Sequence, residues 1–138
     1  MQVDAFLFAR RLIEADDGRW SVDTILWDVV CRPGPTRLWV YVAISFEPDE
    51  CQEPKHLVVR ILDPEGVLVG GFEVQKNNVD VDSFDGRGYA VVPVELTVHL
   101  TEPGVYVAEL LMNGNLAHTG RLSVRPIGPG ARPPEAVL

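Results

Sequence analysis

The run Asn78-Val79-Asp80-Val81-Asp82-Ser83-Phe84-Asp85-Gly86 spaces its carboxylates so that oxygen ligands could converge on a hard cation such as Ca²⁺. The register of a helix-loop-helix calcium site fails, however. With Asp80 in first place, Phe84 falls where a ligand belongs, and no bidentate glutamate arrives at the right distance. Aspartates that build local turns in a solvated loop explain the same residues, so no metal is expected at Asp80, Asp82 or Asp85. The three histidines, His56, His99 and His118, form no His-x-His or His-Glu-x-x-His pattern. His56 and His99 fall on outward strand positions, and His118 shares a face with Leu116 and Leu122. The two cysteines, Cys31 and Cys51, make no CxxC pair or Cys/His ligand spacing, which argues against structural zinc. Free, partly buried thiols in a reducing compartment are the expectation for both.

Nucleophilic chemistry finds no more support. There is no Gly-x-Ser-x-Gly elbow, and no glycine-rich loop opens a helix to cradle phosphate. Gly70-Gly71 and Gly86-Arg87-Gly88 lack the lysine and the following helix of such loops. A metal-assisted hydrolase built from the acidic loop and His99 is the enzymatic alternative. The leading expectation is a non-enzymatic protein with no catalytic residue and no cofactor.

What remains is contact chemistry. Trp39 and Tyr41 lie on the polar side of one strand, flanked by Arg37. Large aromatics and arginine are enriched at the centres of protein interfaces. Side by side on one strand they form a flat platform, and such platforms also stack on sugars. The plainer alternative is that a loop, a neighbouring strand or the proline-rich tail covers them. Arg37, Trp39 and Tyr41 are therefore the candidate binding residues. They would serve a protein partner or a second copy of the chain, with small-ligand or carbohydrate binding as the alternative.

The elements that must carry this face are strands. Period-two alternation is broken by Gly, Pro, Asp and Asn clusters at short intervals, and no window shows a capped helical period. The first strand runs from Val3 to about Leu12, with Phe6 and Phe8 opposite Ala5, Leu7 and Ala9. The second runs from Trp20 to about Cys31, with Ile25, Trp27, Val29 and Cys31 on one face. The third, Arg37 to Glu47, alternates most cleanly. It points Leu38, Val40, Val42, Ile44 and Phe46 one way and Arg37, Trp39, Tyr41, Ser45 and Glu47 the other. Leu57, Val59 and Ile61 mark a fourth strand, and Asp63-Pro64-Glu65-Gly66 turns it into a fifth, Val67 to Gln75.

Gly70-Gly71 suggests a bulge or a close backbone approach. Lys76 to Gly88 is the longest loop. The sixth strand, Ala90 to Leu100, contains Pro93, which argues for an edge or a bulge. Val105–Met112 and Leu116–Arg125 form a hairpin about Asn113-Gly114. About eight strands without crossover helices predict an antiparallel β-sandwich over residues 1–125, with an immunoglobulin-like arrangement favoured over a jelly roll. Residues 126–138 read as a Pro/Gly-rich mobile tail.

Leu100-Thr-Glu-Pro-Gly-Val-Tyr106, followed by Asn113-Gly114, resembles the late hairpin of bacterial immunoglobulin-like domains. That likeness implies that Tyr106 packs against its own corner. The chain as a whole resembles a bacterial family of small stand-alone β-sandwich proteins catalogued as a domain of unknown function. The features that carry this likeness are Val3-Asp-Ala-Phe-Leu7, Ser45-Phe46-Glu47, Asp63-Pro-Glu-Gly66, Pro103-Gly104-Val-Tyr106 and Val124-Arg125-Pro126. It implies a fold and no catalytic residue.

With 12 basic against 20 acidic residues, the chain has a net charge of −8. Nucleic acid and anionic membranes would be repelled at long range, so neither is an expected partner. The N-terminal apolar run has Asp4 where a signal peptide has positive charge, and no cleavage site follows. Together with the thiols, this predicts a cytoplasmic protein.

Overall fold

In the strand β4 (Thr36–Phe46) every second side chain from Leu38 to Ile44 is buried, and the others turn away from the core. That alternation divides one packed face from one open face, and it recurs through the rest of the chain. The computed structural model describes residues 1–127. Before β4 come β1 (Gln2–Glu14), β2 (Trp20–Ile25) and β3 (Asp28–Val30). After it come a 3-10 turn (Pro48–Glu50), β5 (Lys55–Leu62), β6 (Leu68–Lys76), β7 (Gly88–Val98), β8 (Gly104–Met112) and β9 (Asn115–Arg125). Of the expected tail from Pro126, residues 128–138 lie outside the described residues.

The strands form two sheets, β2-β1-β4-β7 and β3-β9-β8-β5-β6. Leu38, Val40 and Val42 from the first pack on Val59, Ile61, Leu110 and Leu122 from the second, all at most 1% exposed. Each such side chain contributes about 1.5–3 kcal/mol of burial. The pairing of β5 with the β8–β9 hairpin, opposite a β4–β7 pair, is the immunoglobulin-like order. A jelly roll would distribute the strands differently. β1 lies between β2 and β4 and pairs antiparallel with both.

The corner between β7 and β8 carries the mark of this fold. Tyr106 is buried, and its hydroxyl donates to the Glu102 carbonyl at 2.9 Å while accepting the Glu102 N–H at 3.2 Å. This is a tyrosine corner, as the hairpin resemblance implied. The Asn113-Gly114 turn also forms as expected, with positive φ at both residues.

Three expectations need correction. The second strand is not continuous. Thr24 takes φ 63, and the chain leaves the four-stranded sheet at Leu26 to enter the other as β3. Trp27 therefore sits on the crossing, 64% exposed, and shares no inner face with Val29. This split raises the strand count to nine among the described residues. Nor is the sandwich wholly antiparallel, because β3 pairs parallel with β9. Finally, an irregularity in the β8–β9 ladder lets Leu111 face Leu116 while Leu110 faces His118. That extra residue parts Leu116 from the face of His118 and Leu122.

Two other expectations hold. Pro93 lies on β7, an edge of the first sheet. The glycine pair on β6 marks a close approach, since a Cβ at Gly71 would fall 2.3 Å from the Val59 carbonyl oxygen.

Candidate functional site

Arg37, Trp39 and Tyr41 sit on β4, one of the two inner strands of the four-stranded sheet, and they point away from the other sheet. Register fixes their surroundings. Trp39 lies between Ala9 on β1 and Glu95 on β7, and Tyr41 lies between Leu7 and Pro93. One step further along, Ala43 lies between Ala5 and Val91, and Arg37 pairs with Thr97 on the rim. The structure thus brings the three sequence-predicted residues together on one face. It adds Leu7, Pro93 and Val91, which sequence alone could not assign to it.

Burial on this face is lateral. Arg37 is exposed, whereas Trp39 and Tyr41 are each half-buried by their neighbours. Ala9, between Trp39 and Ile25, is fully covered. No strand of the described residues crosses the face, since the second sheet packs on its opposite side. The centre is apolar and the rim is charged. Arg11 meets Asp23 at 3.1 Å on one side, and Glu95 lies exposed on the other. Burial alone would raise the Asp23 carboxyl. The Thr24 hydroxyl and the adjacent Arg10 and Arg11 guanidinium groups instead hold it below the usual carboxylate range.

The acidic loop is organised by its own backbone. Asp82 Oδ1 accepts the Phe84 N–H at 2.7 Å and the Asp85 N–H at 3.3 Å. Asp85 accepts the Arg87 N–H at 2.9 Å and the Tyr89 hydroxyl. The Tyr89 hydroxyl and the Arg87 N–H keep the Asp85 carboxyl below its ordinary value. These are turn-forming roles. Among the described residues, no three His, Cys, Asp or Glu side chains gather as a metal would need.

His56 pairs with Glu73 at 2.9 Å across β5 and β6, and His118 lies against the Phe6 ring, with centroids 5.7 Å apart. His99 is exposed just past the end of β7, before the buried Leu100. The three histidines therefore have separate surroundings. Cys31 is half-buried and Cys51 fully buried, and both are free thiols.

One site had no signal in the sequence. Lys55 is buried, and its ammonium donates to the carbonyls of Glu50 at 2.5 Å, Glu53 at 2.6 Å and Cys51 at 3.3 Å. It also stands 4.8 Å from the Phe46 ring centroid. Lys55 pins the loop after the 3-10 turn and makes no contact with the aromatic face.

Strand order, tyrosine corner and open face define a small immunoglobulin-like β-sandwich. No protein-family model matches the chain, and no curated protein matches it. Among solved structures it is similar to the alkylpurine DNA glycosylase AlkC of Pseudomonas fluorescens, bound to DNA containing an abasic site analog. That match has TM-score 0.52 and 9% identity, over 90% of this chain and 30% of that one. A glycosyl hydrolase family 2 member from Bacteroides cellulosilyticus gives TM-score 0.43 and 15% identity, over 70% of this chain and 13% of that one. An immunoglobulin-like protein from Pseudomonas aeruginosa gives TM-score 0.40 and 16% identity, over 90% of this chain and 95% of that one. The chain thus spans under a third of the glycosylase, and at this identity the likeness concerns the fold alone.

Proposed function

We propose that this chain is a non-enzymatic cytoplasmic interaction module that docks a partner protein on the outer face of its four-stranded sheet. It would be one of the small stand-alone immunoglobulin-like proteins of unassigned function. The observation that carries this reading is the aromatic centre that no strand of the described residues covers, Trp39 and Tyr41, set among Leu7, Ala9 and Pro93 and ringed by Arg37, Arg11, Asp23 and Glu95. An apolar aromatic centre with a charged rim is the anatomy of a protein contact. Carbohydrate sites use aromatic platforms too, but they line them with hydrogen-bonding groups. Here the nearest neighbours of both aromatics are mostly apolar, which favours protein over sugar.

The test is affinity purification from lysate of the native host, read by mass spectrometry, comparing wild type with a folded Trp39→Ser/Tyr41→Ser variant. A protein retained by the wild type and lost with the variant supports docking and identifies the partner. Identical retained sets from both would overturn the assignment of this face.

A further inference from the structure

We propose that two copies of this chain associate edge to edge, the uncovered half of β1 pairing antiparallel with its counterpart across a two-fold axis. The inference stands on a strand edge and does not rest on the docking face. β1 has 13 residues, but β2 pairs with it only from Glu14 back to Ala9. The last bond on that side runs from the Leu26 N–H to the Phe8 carbonyl at 2.9 Å, after which the chain leaves for the other sheet. Among the described residues, the remaining stretch of β1 from Gln2 to Leu7 pairs with β4 alone. In an extended strand, the N–H and C=O of one residue point to the same side, and the sides alternate along the chain. The Phe8 carbonyl faces the β2 side. The Phe8 N–H and both polar groups of Phe6 therefore face it too, opposite no strand.

Beneath this edge a cleft of about 320 Å³ opens between the two sheets, lined among others by Phe6, Phe8, Leu26, Trp27, Gly120 and Arg121. A Cβ at Gly120 would lie 3.6 Å from the Phe6 ring, so the room exists because position 120 has no side chain. Two of the other edges are guarded in the usual ways. β7 carries Pro93, and β3 is only 3 residues long. The open half of β1 has neither proline nor lysine, and Asp4 is its only charge. Its one irregularity is a register shift against β4 between Val3 and Ala5, which leaves the run from Ala5 to Leu7 regular.

A second copy fits because the step is self-complementary. β2 covers one half of β1 and leaves a stretch of similar length open. A dyad perpendicular to the sheet lays the two open halves side by side, with each β2 in line with the other copy's β1. Such an interface uses the same patch twice and closes on itself. Inner faces stay inner, so Phe6 and Phe8 of each copy approach the other's cleft. An unrelated strand could meet the same edge, but β1 itself supplies the length, the direction and the inward phenylalanines. The joined sheets would present two Trp39/Tyr41 platforms on one continuous surface.

The test is sedimentation equilibrium of the full chain over a wide concentration range, combined with amide hydrogen exchange at Phe6 and Phe8. The expected result is a dimer whose population tracks slowed exchange at both amides. Salt should strengthen it, because each copy carries a net charge of −8 and the paired edge is nearly neutral. Gly120→Leu, which partly fills the cleft, should weaken association by roughly tenfold or more, the scale of one lost buried side-chain contact, without lowering the monomer's melting temperature. Trp39→Ser/Tyr41→Ser should leave the dimer intact. A monomer at every concentration overturns the proposal. So does a dimer whose Phe6 and Phe8 amides exchange freely, one indifferent to Gly120→Leu, or one lost with the aromatic variant.

Discussion

The Tyr106 hydroxyl closes a loop on Glu102, donating to its carbonyl at 2.9 Å and accepting its N–H at 3.2 Å. One phenol thus satisfies both polar groups of a single peptide residue four positions back. Tyr106→Phe keeps the ring and strands both groups. The expected loss is about 1–3 kcal/mol of stability, measured as a lower urea midpoint with unchanged slope.

The same residue sets a pH dependence. Burial pushes the Tyr106 hydroxyl above the ordinary tyrosine value. A group whose folded value is raised gives its stability below the unfolded value, near 10, and loses it as pH rises through the folded one. Urea midpoints should therefore fall at strongly alkaline pH. Tyr106→Phe should flatten that fall, and an unchanged slope in the variant would refute the assignment.

A Cβ at Gly70 would lie 2.4 Å from Cγ1 of Val98, a side chain of the opposite sheet. Gly70→Ala should cost about 1–3 kcal/mol through overpacking. Val98→Ala added to it should recover part of that loss, so the double mutant is less destabilised than the sum of the singles. Thermal unfolding of the four proteins measures the cycle. Simple additivity would mean that the clash is relieved elsewhere.

Lys55→Met keeps the aliphatic stem and removes the donor to three carbonyls. A loss of about 2–3 kcal/mol is expected, as for hydrogen bonds to a charged group. Exchange of the Cys51 and Glu53 amides should quicken at the same time, because both bond back into the turn that Lys55 pins. Unchanged protection there would mean that the loop holds without its lysine.

Ca²⁺ should not raise the melting temperature, because Asp82 and Asp85 already spend oxygens on their own loop. Asp82→Ala should cost about 1 kcal/mol whether or not the cation is present. A calcium-dependent stabilisation that disappears in Asp82→Ala would reinstate a metal site.

Where local rules decide the structure, the residues revealed it. The alternation of Leu38 to Ile44, the Asn113-Gly114 turn, the edge position of Pro93 and the corner at Tyr106 each follow from chemistry confined to a few positions. The split at Leu26 was hidden because Ile25, Trp27, Val29 and Cys31 keep period two across it. Periodicity records which way a side chain points and is silent about which sheet the strand belongs to. The face around Trp39 was half legible. Its own strand was plain, but Leu7 and Pro93 join it only through the β1–β4 and β4–β7 registers, which depend on long-range pairing. Lys55 gave no sign because its three acceptors are backbone carbonyls, invisible to any side-chain motif.

The parallel pairing of β3 with β9 has a consequence for how the chain comes into being. Val30 leaves the ribosome well before its strand partner Arg125, which is added nearly a hundred residues later. Until then Val29 and Val30 have no ladder, and the second sheet stays unsealed during synthesis. The β1–β2 hairpin and its pairing with β4 can form on the nascent chain, while the other half waits for its last strand.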